Sequence, residues 1–183
     1  GVARAFADEG ASMILTDIFP GGMEKTKEEL ERDFGTDVVI CVADGAREDQ
    51  VKAAIEKGVE HFGKLNVLIN SAQTSASGLT LVEHTQADFD KAIYSGLYAT
   101  FFYMKHAFPY LKESHGSVIN FASGAGISGK PGQSSYAAAK EGIRGLSRVA
   151  ANEWGPYDIN VNVVLPLVMT DKLAQWGQEN PEM

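Results

Sequence analysis

Residues 118–165, VINFASGAGISGKPGQSSYAAAKEGIRGLSRVAANEWGPYDINVNVVL, decide the fold. The apolar run Val118–Phe121 reads as a short strand buried on both faces. A Gly/Ser-rich loop follows, then a helical stretch over Tyr136–Trp154 and a second apolar run at Val161–Leu165. Strand, helix and strand at this spacing make two parallel strands joined by a crossover helix. Toward the N-terminus the alternation repeats. Val2–Glu9 reads as a helix ended by Gly10, and Met13–Leu15 as a strand closed by Thr16-Asp17 and a turn around Pro20-Gly21-Gly22. Met23–Phe34 reads as a charged surface helix, Val38–Val42 as a strand, Glu48–Phe62 as a helix and Val67–Ile69 as a strand. A long apolar helix is expected from about Gln86 to Lys112, kinked at Gly96 and interrupted near Pro109. The fold class is therefore α/β, a doubly wound, Rossmann-like parallel sheet.

No linker, repeat or low-complexity tract divides the 183 residues, so residues 1–183 are expected to form one domain. The chain opens inside an amphipathic helix and stops soon after another helical start. Both ends thus read as interior positions of a longer chain, with a first strand missing from the middle of the sheet. A net charge of −8 offers no basic footprint for nucleic acid or for anionic membranes. The single Cys41 cannot form an internal disulfide, and the four His show no metal-ligand spacing. No apolar run reaches the roughly eighteen residues that span a bilayer. These features predict a cytoplasmic protein that acts on small molecules, without a metal.

Tyr136 and Lys140 lie four apart on the predicted helix and so share one face. A free phenol has a pKa near 10, too high for a base at neutral pH, and a neighbouring ammonium stabilises its phenolate. Ser123 stands just past the strand Val118–Phe121, where a parallel sheet opens its ligand crevice.

With Ser123 and Tyr136-Ala137-Ala138-Ala139-Lys140 in place, the sequence resembles the classical short-chain dehydrogenase/reductase family over nearly its whole length. Asn70-Ser71-Ala72-Gln73 is similar to the family's Asn-Asn-Ala-Gly, and Asn160-Val161-Asn162-Val163-Val164-Leu165-Pro166 to its Arg-Val-Asn-x-x-x-Pro strand. The resemblance implies that Tyr136 is the acid/base for the substrate oxygen, that Lys140 lowers its pKa and binds the nicotinamide ribose, and that Ser123 steadies the oxygen. It implies cofactor contacts at Asp17, Asp44, Asn70, Ala72, Tyr136, Lys140, Pro166 and Thr170. Asp17, at the end of its strand, would accept the adenosine ribose hydroxyls and repel a 2′-phosphate, which selects NAD over NADP. The implied reaction interconverts a small-molecule secondary alcohol and its ketone, in a homodimer or homotetramer. The aromatic surplus of the long helix, from Tyr98 to Phe108, fits that assembly.

The sequence departs from the family at four places. The glycine-rich phosphate loop falls before residue 1, Ser71 and Gln73 replace an Asn and a Gly, Gly96 stands where the family carries a catalytic Asn, and Leu167 replaces a Gly. These departures keep open a catalytically idle member that binds a nucleotide or a partner. A 3-oxoacyl carrier reductase is the other alternative. At Gly96 the reading expects a kink, with a backbone carbonyl left free to hold water near Lys140. Substrate choice is expected to lie with the segment beginning near Asp171. Trp154, Trp176, Cys41, Met13 and Phe101–Tyr103 are read as packing residues, and His61, His84, His106 and His115 as surface or helix-end residues.

Overall fold

The computed structural model describes residues 1–166 and 171–179. Leu167 and Thr170 lie outside the described residues, as does the side chain of Trp176. Five short strands run parallel: β1 (Met13–Asp17), β2 (Val38–Val42), β3 (Val67–Asn70), β4 (Ser117–Phe121) and β5 (Asn160–Val164). They fall into two sheets, β1-β2 and β3-β4-β5. Helices α1 (Val2–Asp8), α2 (Pro20–Phe34) and α3 (Glu48–Phe62) belong to the first half. In the second half come α4 (Gln86–Ala92), α5 (Ala99–Ser114), the short α6 (Gly124–Ser128), α7 (Ser134–Trp154) and α8 (Asp171–Glu179).

The apolar periodicity of α3 and α5 places their buried faces together. Val51 and Ile55 of α3 meet Met104, Ala107 and Leu111 of α5 over Leu68, Val118 and the α7 residue Ala150. Ala99 and Tyr103 of α5 lie against Gly45 beyond β2, so the second half packs on the first there. A smaller cluster of Ala7, Leu30 and Val38 packs α1 and α2 onto β2. Cys41 and Trp154 are packing residues as expected: the thiol is buried beside Ala54, and the indole lies 5.1 Å from the Phe108 ring.

Three local features differ from the sequence expectations. Pro20-Gly21-Gly22 is not a turn but the first turn of α2, because proline at the first helical position gives up an N–H that had no intrahelical partner anyway. Pro109 does not interrupt the long helix: α5 runs through it to Ser114, held by buried Ala107 and Leu111 on either side. The break lies upstream, where Ile93–Tyr98 winds as a π turn between α4 and α5. Ala99 N–H there reaches the carbonyls of Tyr94 and Gly96 and bypasses Ser95, its α-helical partner. Where the sequence suggests a kink, at Ser95–Gly96, the helix thus takes a π turn, and the Gly96 carbonyl is engaged by Ala99 N–H.

The second sheet begins at a crowded junction. Gly116 N–H bonds the Leu111 carbonyl, its own carbonyl accepts Asn160 N–H, and Ser117 N–H bonds the Asn66 carbonyl. A Cβ at Gly116 would stand 2.5 Å from that Asn66 oxygen, a backbone atom that cannot step aside. Gly116→Ala is therefore expected to destabilise by about 2 kcal/mol, read from thermal or urea unfolding. A loss under about 0.5 kcal/mol, the usual scatter of a harmless surface change, would contradict the close approach.

Candidate active site

Every parallel strand delivers a predicted site residue at its C-terminal end. Asp17 ends β1, Asp44 follows β2, Asn70 ends β3, Ser123 follows β4 and Pro166 follows β5. This is the edge at which parallel α/β sheets bind ligands. Asn70 and Asn120 are paired in register, so Ser123 leaves β4 three residues past that level.

Ser123 caps α6, its Oγ accepting the Ala125 N–H at 3.2 Å. That leaves the hydroxyl proton available for another acceptor. Lys140 lies on the buried face of α7, with 4% of its surface exposed. Its Nζ donates to the Phe121 carbonyl at 2.7 Å and stands 5.6 Å from the centre of the Tyr136 ring. Burial pushes the ammonium down from its ordinary 10.5 to about 8. Tyr136 is half-buried one turn earlier. Ser123, Tyr136 and Lys140 are thus gathered around the end of β4 by one strand and the helix that follows.

The predicted cofactor contacts behave differently from one another. The exposed Asp17 accepts Phe19 N–H at 2.9 Å through Oδ1. Asp44 is also exposed, its N–H held by Gln50 and its Oδ1 by Ala46 N–H. Ala72 and Pro166 are exposed on the same edge. Asn70 is the exception among them. Its side chain is buried and donates to Asn120 Oδ1 at 2.8 Å, so its amide serves the fold. Asn120 donates in turn to Ser147 Oγ at 2.8 Å, which fastens α7 to β4.

Two features of the site went unread in the sequence. His84, half-buried just before the Thr85 cap of α4, stands at a helix end as expected but also reaches across the fold: its Nδ1 lies 3.0 Å from the Thr80 carbonyl and its Nε2 3.0 Å from Ser135 Oγ, next to Tyr136. The loop that carries it also bonds Gly78 N–H to the Gly132 carbonyl and Ser77 to Gln133. A lone histidine far along the chain gives no local signal of this, because the contact is purely tertiary. Asn120 was read only as a strand residue.

The residues fit a dinucleotide: an exposed carboxylate at the β1 end for a ribose, Asp44 beyond β2, and a phenol with a buried cation where the nicotinamide half would lie. The whole chain, residues 1–183, matches the family described as enoyl-(acyl carrier protein) reductase. It is 55% identical to a 12alpha-hydroxysteroid dehydrogenase of Clostridium sp., over all of this chain and 72% of that protein. The chain belongs to the classical short-chain dehydrogenase/reductase family.

Solved members of the short-chain dehydrogenase/reductase family share the fold closely. An NAD+-bound xylitol dehydrogenase matches with a TM-score of 0.90 and 26% identity, over 97% of this chain and 68% of that one. ElxO with NADP bound matches with a TM-score of 0.88 and 30% identity, over all of this chain and 73% of that one. The protein is accordingly an oxidoreductase of the alcohol/ketone kind that uses a nicotinamide cofactor. No cluster of metal-ligating side chains occurs among the described residues, and no helix among them is long and apolar enough to cross a membrane.

As a short-chain dehydrogenase/reductase, the molecule keeps a buried charge at a cost in stability. The unfolded chain holds the Lys140 proton up to about pH 10.5, whereas the fold releases it near 8. Between those values the unfolded state binds more protons, so stability rises with pH; below 8 the full penalty remains. Lys140→Met is expected to raise stability at pH 7, by up to roughly 3 kcal/mol before the lost Phe121 bond is counted. The advantage should shrink as pH climbs from 8 toward 10.5. Melting curves of both proteins across that range check it, and a variant that melts lower at pH 7 would contradict it.

Proposed function

We propose that the protein oxidises a secondary alcohol to a ketone, reversibly, with NAD as hydride acceptor. The observation that carries this reading is the buried Lys140 ammonium beneath Tyr136, with Ser123 at the same sheet edge. NAD, when bound, supplies the hydride chemistry. Tyr136 takes the alcohol proton in oxidation and returns it to the ketone oxygen in reduction. Lys140 supports the phenolate by its charge, and burial strengthens that support because little water screens it. The Ser123 hydroxyl donates to the substrate oxygen, where negative charge develops.

The exposed Asp17 carboxylate favours a free ribose hydroxyl over a phosphate, hence NAD. The kinship with a 12alpha-hydroxysteroid dehydrogenase makes a hydroxysteroid the substrate class to test first. Tyr94 and Tyr98, stacked at 4.9 Å, and Phe101 are exposed along the π turn and α5, which supports a homodimer or homotetramer built on that face. The intact trio at the end of β4 argues against an idle member, and the −8 charge against docking an acidic carrier.

Tyr136→Phe is expected to remove nearly all turnover, since a positioned acid/base contributes about 10²–10⁴-fold, while nucleotide binding holds. Reduced-nicotinamide absorbance with a 12α-hydroxysteroid measures it; retention of more than about a tenth of the rate would sink the assignment. Asp17→Ser should relax the preference for NAD, chiefly through KM for NADP. Equal use of both cofactors by the wild type would refute that role.

A further inference from the structure

Gln73 ends in a carboxamide that the described residues cover without satisfying. Both Oε1 and Nε2 are buried, and neither has a hydrogen-bond partner among the described residues. The carboxamide is seated on the π turn: a Cβ built at Gly96 would lie 2.7 Å from Gln73 Cδ and Oε1 and 3.0 Å from Nε2. Gly96 is therefore a glycine because the amide of Gln73 fills the space above it. The loop is pinned beside this seat, for Ser95 Oγ donates to the Thr74 carbonyl at 2.9 Å and lies 3.1 Å from Thr74 N.

Packing alone does not select such an arrangement. A methionine has the same reach and about the same volume, and it would fill the notch without burying two unsatisfied polar groups. The carboxamide must gain something elsewhere. Gln73 leaves β3 three residues past Asn70, as Ser123 leaves β4 three residues past its register partner Asn120. The same loop continues onto the first turn of α7, where His84 meets Ser135 beside Tyr136. Leu97, the next residue, packs against Gly142 of α7, so the turn that seats Gln73 also touches the helix of Tyr136 and Lys140.

We propose that Gln73 is a substrate-specificity residue: its carboxamide leaves Gly96 to bond a hydroxyl of the bound alcohol, a partner it does not find among the described residues. The inference rests on the alcohol–ketone chemistry proposed above and adds a recognition role that the acid/base trio does not have. Gly96 then gives the side chain both its resting seat and its freedom to leave it.

The test compares Gln73→Met, Gly96→Asn and the exchange Gln73→Gly/Gly96→Asn in the full chain, with NAD and a 12α-hydroxysteroid. Gln73→Met should melt at or above the wild-type temperature. Its KM for the steroid should rise about tenfold or more, the factor that one lost hydrogen bond carries, with KM for NAD unchanged. Gly96→Asn should melt lower, because its Cβ enters the occupied seat, and the exchange, which moves the carboxamide across to residue 96, should recover the loss. Gln73→Met with a lower melting temperature and an unaltered steroid KM would make Gln73 a packing plug and overturn the inference. That outcome leaves the role of Tyr136 standing, whereas a fully active Tyr136→Phe would sink the acid/base reading without touching the steroid KM effect. A wild-type chain that turns over no secondary alcohol would overturn both.

Discussion

The hydrogen bond from Lys140 Nζ to the Phe121 carbonyl is the constraint on which the site is built. It joins the end of β4 to the middle of the first turns of α7 and keeps a cation out of water below Tyr136. A buried ammonium is expensive unless something holds it. No carboxylate neutralises it among the described residues, and burial is the cause of its lowered pKa. The charge is therefore not spent on an ion pair among those residues, which is what the proposed support of the phenol requires. The neighbouring amide chain, from Asn70 to Asn120 to Ser147, fixes the same strand and helix from within the core. Where β4 goes, α7 with Tyr136 and Lys140 must follow.

A second constraint runs through the π turn. An inserted residue at Ile93–Tyr98 shifts the register of the long helix, letting α4 and α5 present different faces to α7 and α3. Leu97 settles on Gly142, and Ser95 and Gly96 receive the loop that follows β3. Such bulges are frequent at functional sites because they turn side chains and carbonyls away from the regular ladder. The loop is then held at both ends, on the π turn and on the start of α7, so the strand end, the helix of Tyr136 and Lys140 and the intervening loop form one connected unit.

Much of this was legible in the sequence because it rests on local chemistry. All five strands are short β-branched runs, and each lies where those runs fall. The left-handed glycines Gly10, Gly35 and Gly63 end helices where the periodicity stops. Ser123, Tyr136 and Lys140 were readable because a strand end and an i, i+4 spacing place them without further information. What was not legible depended on contacts across the fold. Pro109 looks like a helix breaker until buried neighbours hold the helix straight. His84 looks like no more than a surface or helix-end residue until the loop docks on Ser134 and Ser135. Gln73 and Gly96 look like two unrelated departures from a family pattern, and only their contact makes them one exchange.

In the proposed function, a lysine held out of water on a strand-end carbonyl is the charge that supports the Tyr136 phenol. NMR titration of the Lys140 side-chain amine in the full chain, its signal assigned by its loss in a Lys140 variant, tests that most directly. A midpoint near pH 8 is expected. A midpoint at the ordinary lysine value, about 10.4, would mean a solvated ammonium and would contradict it.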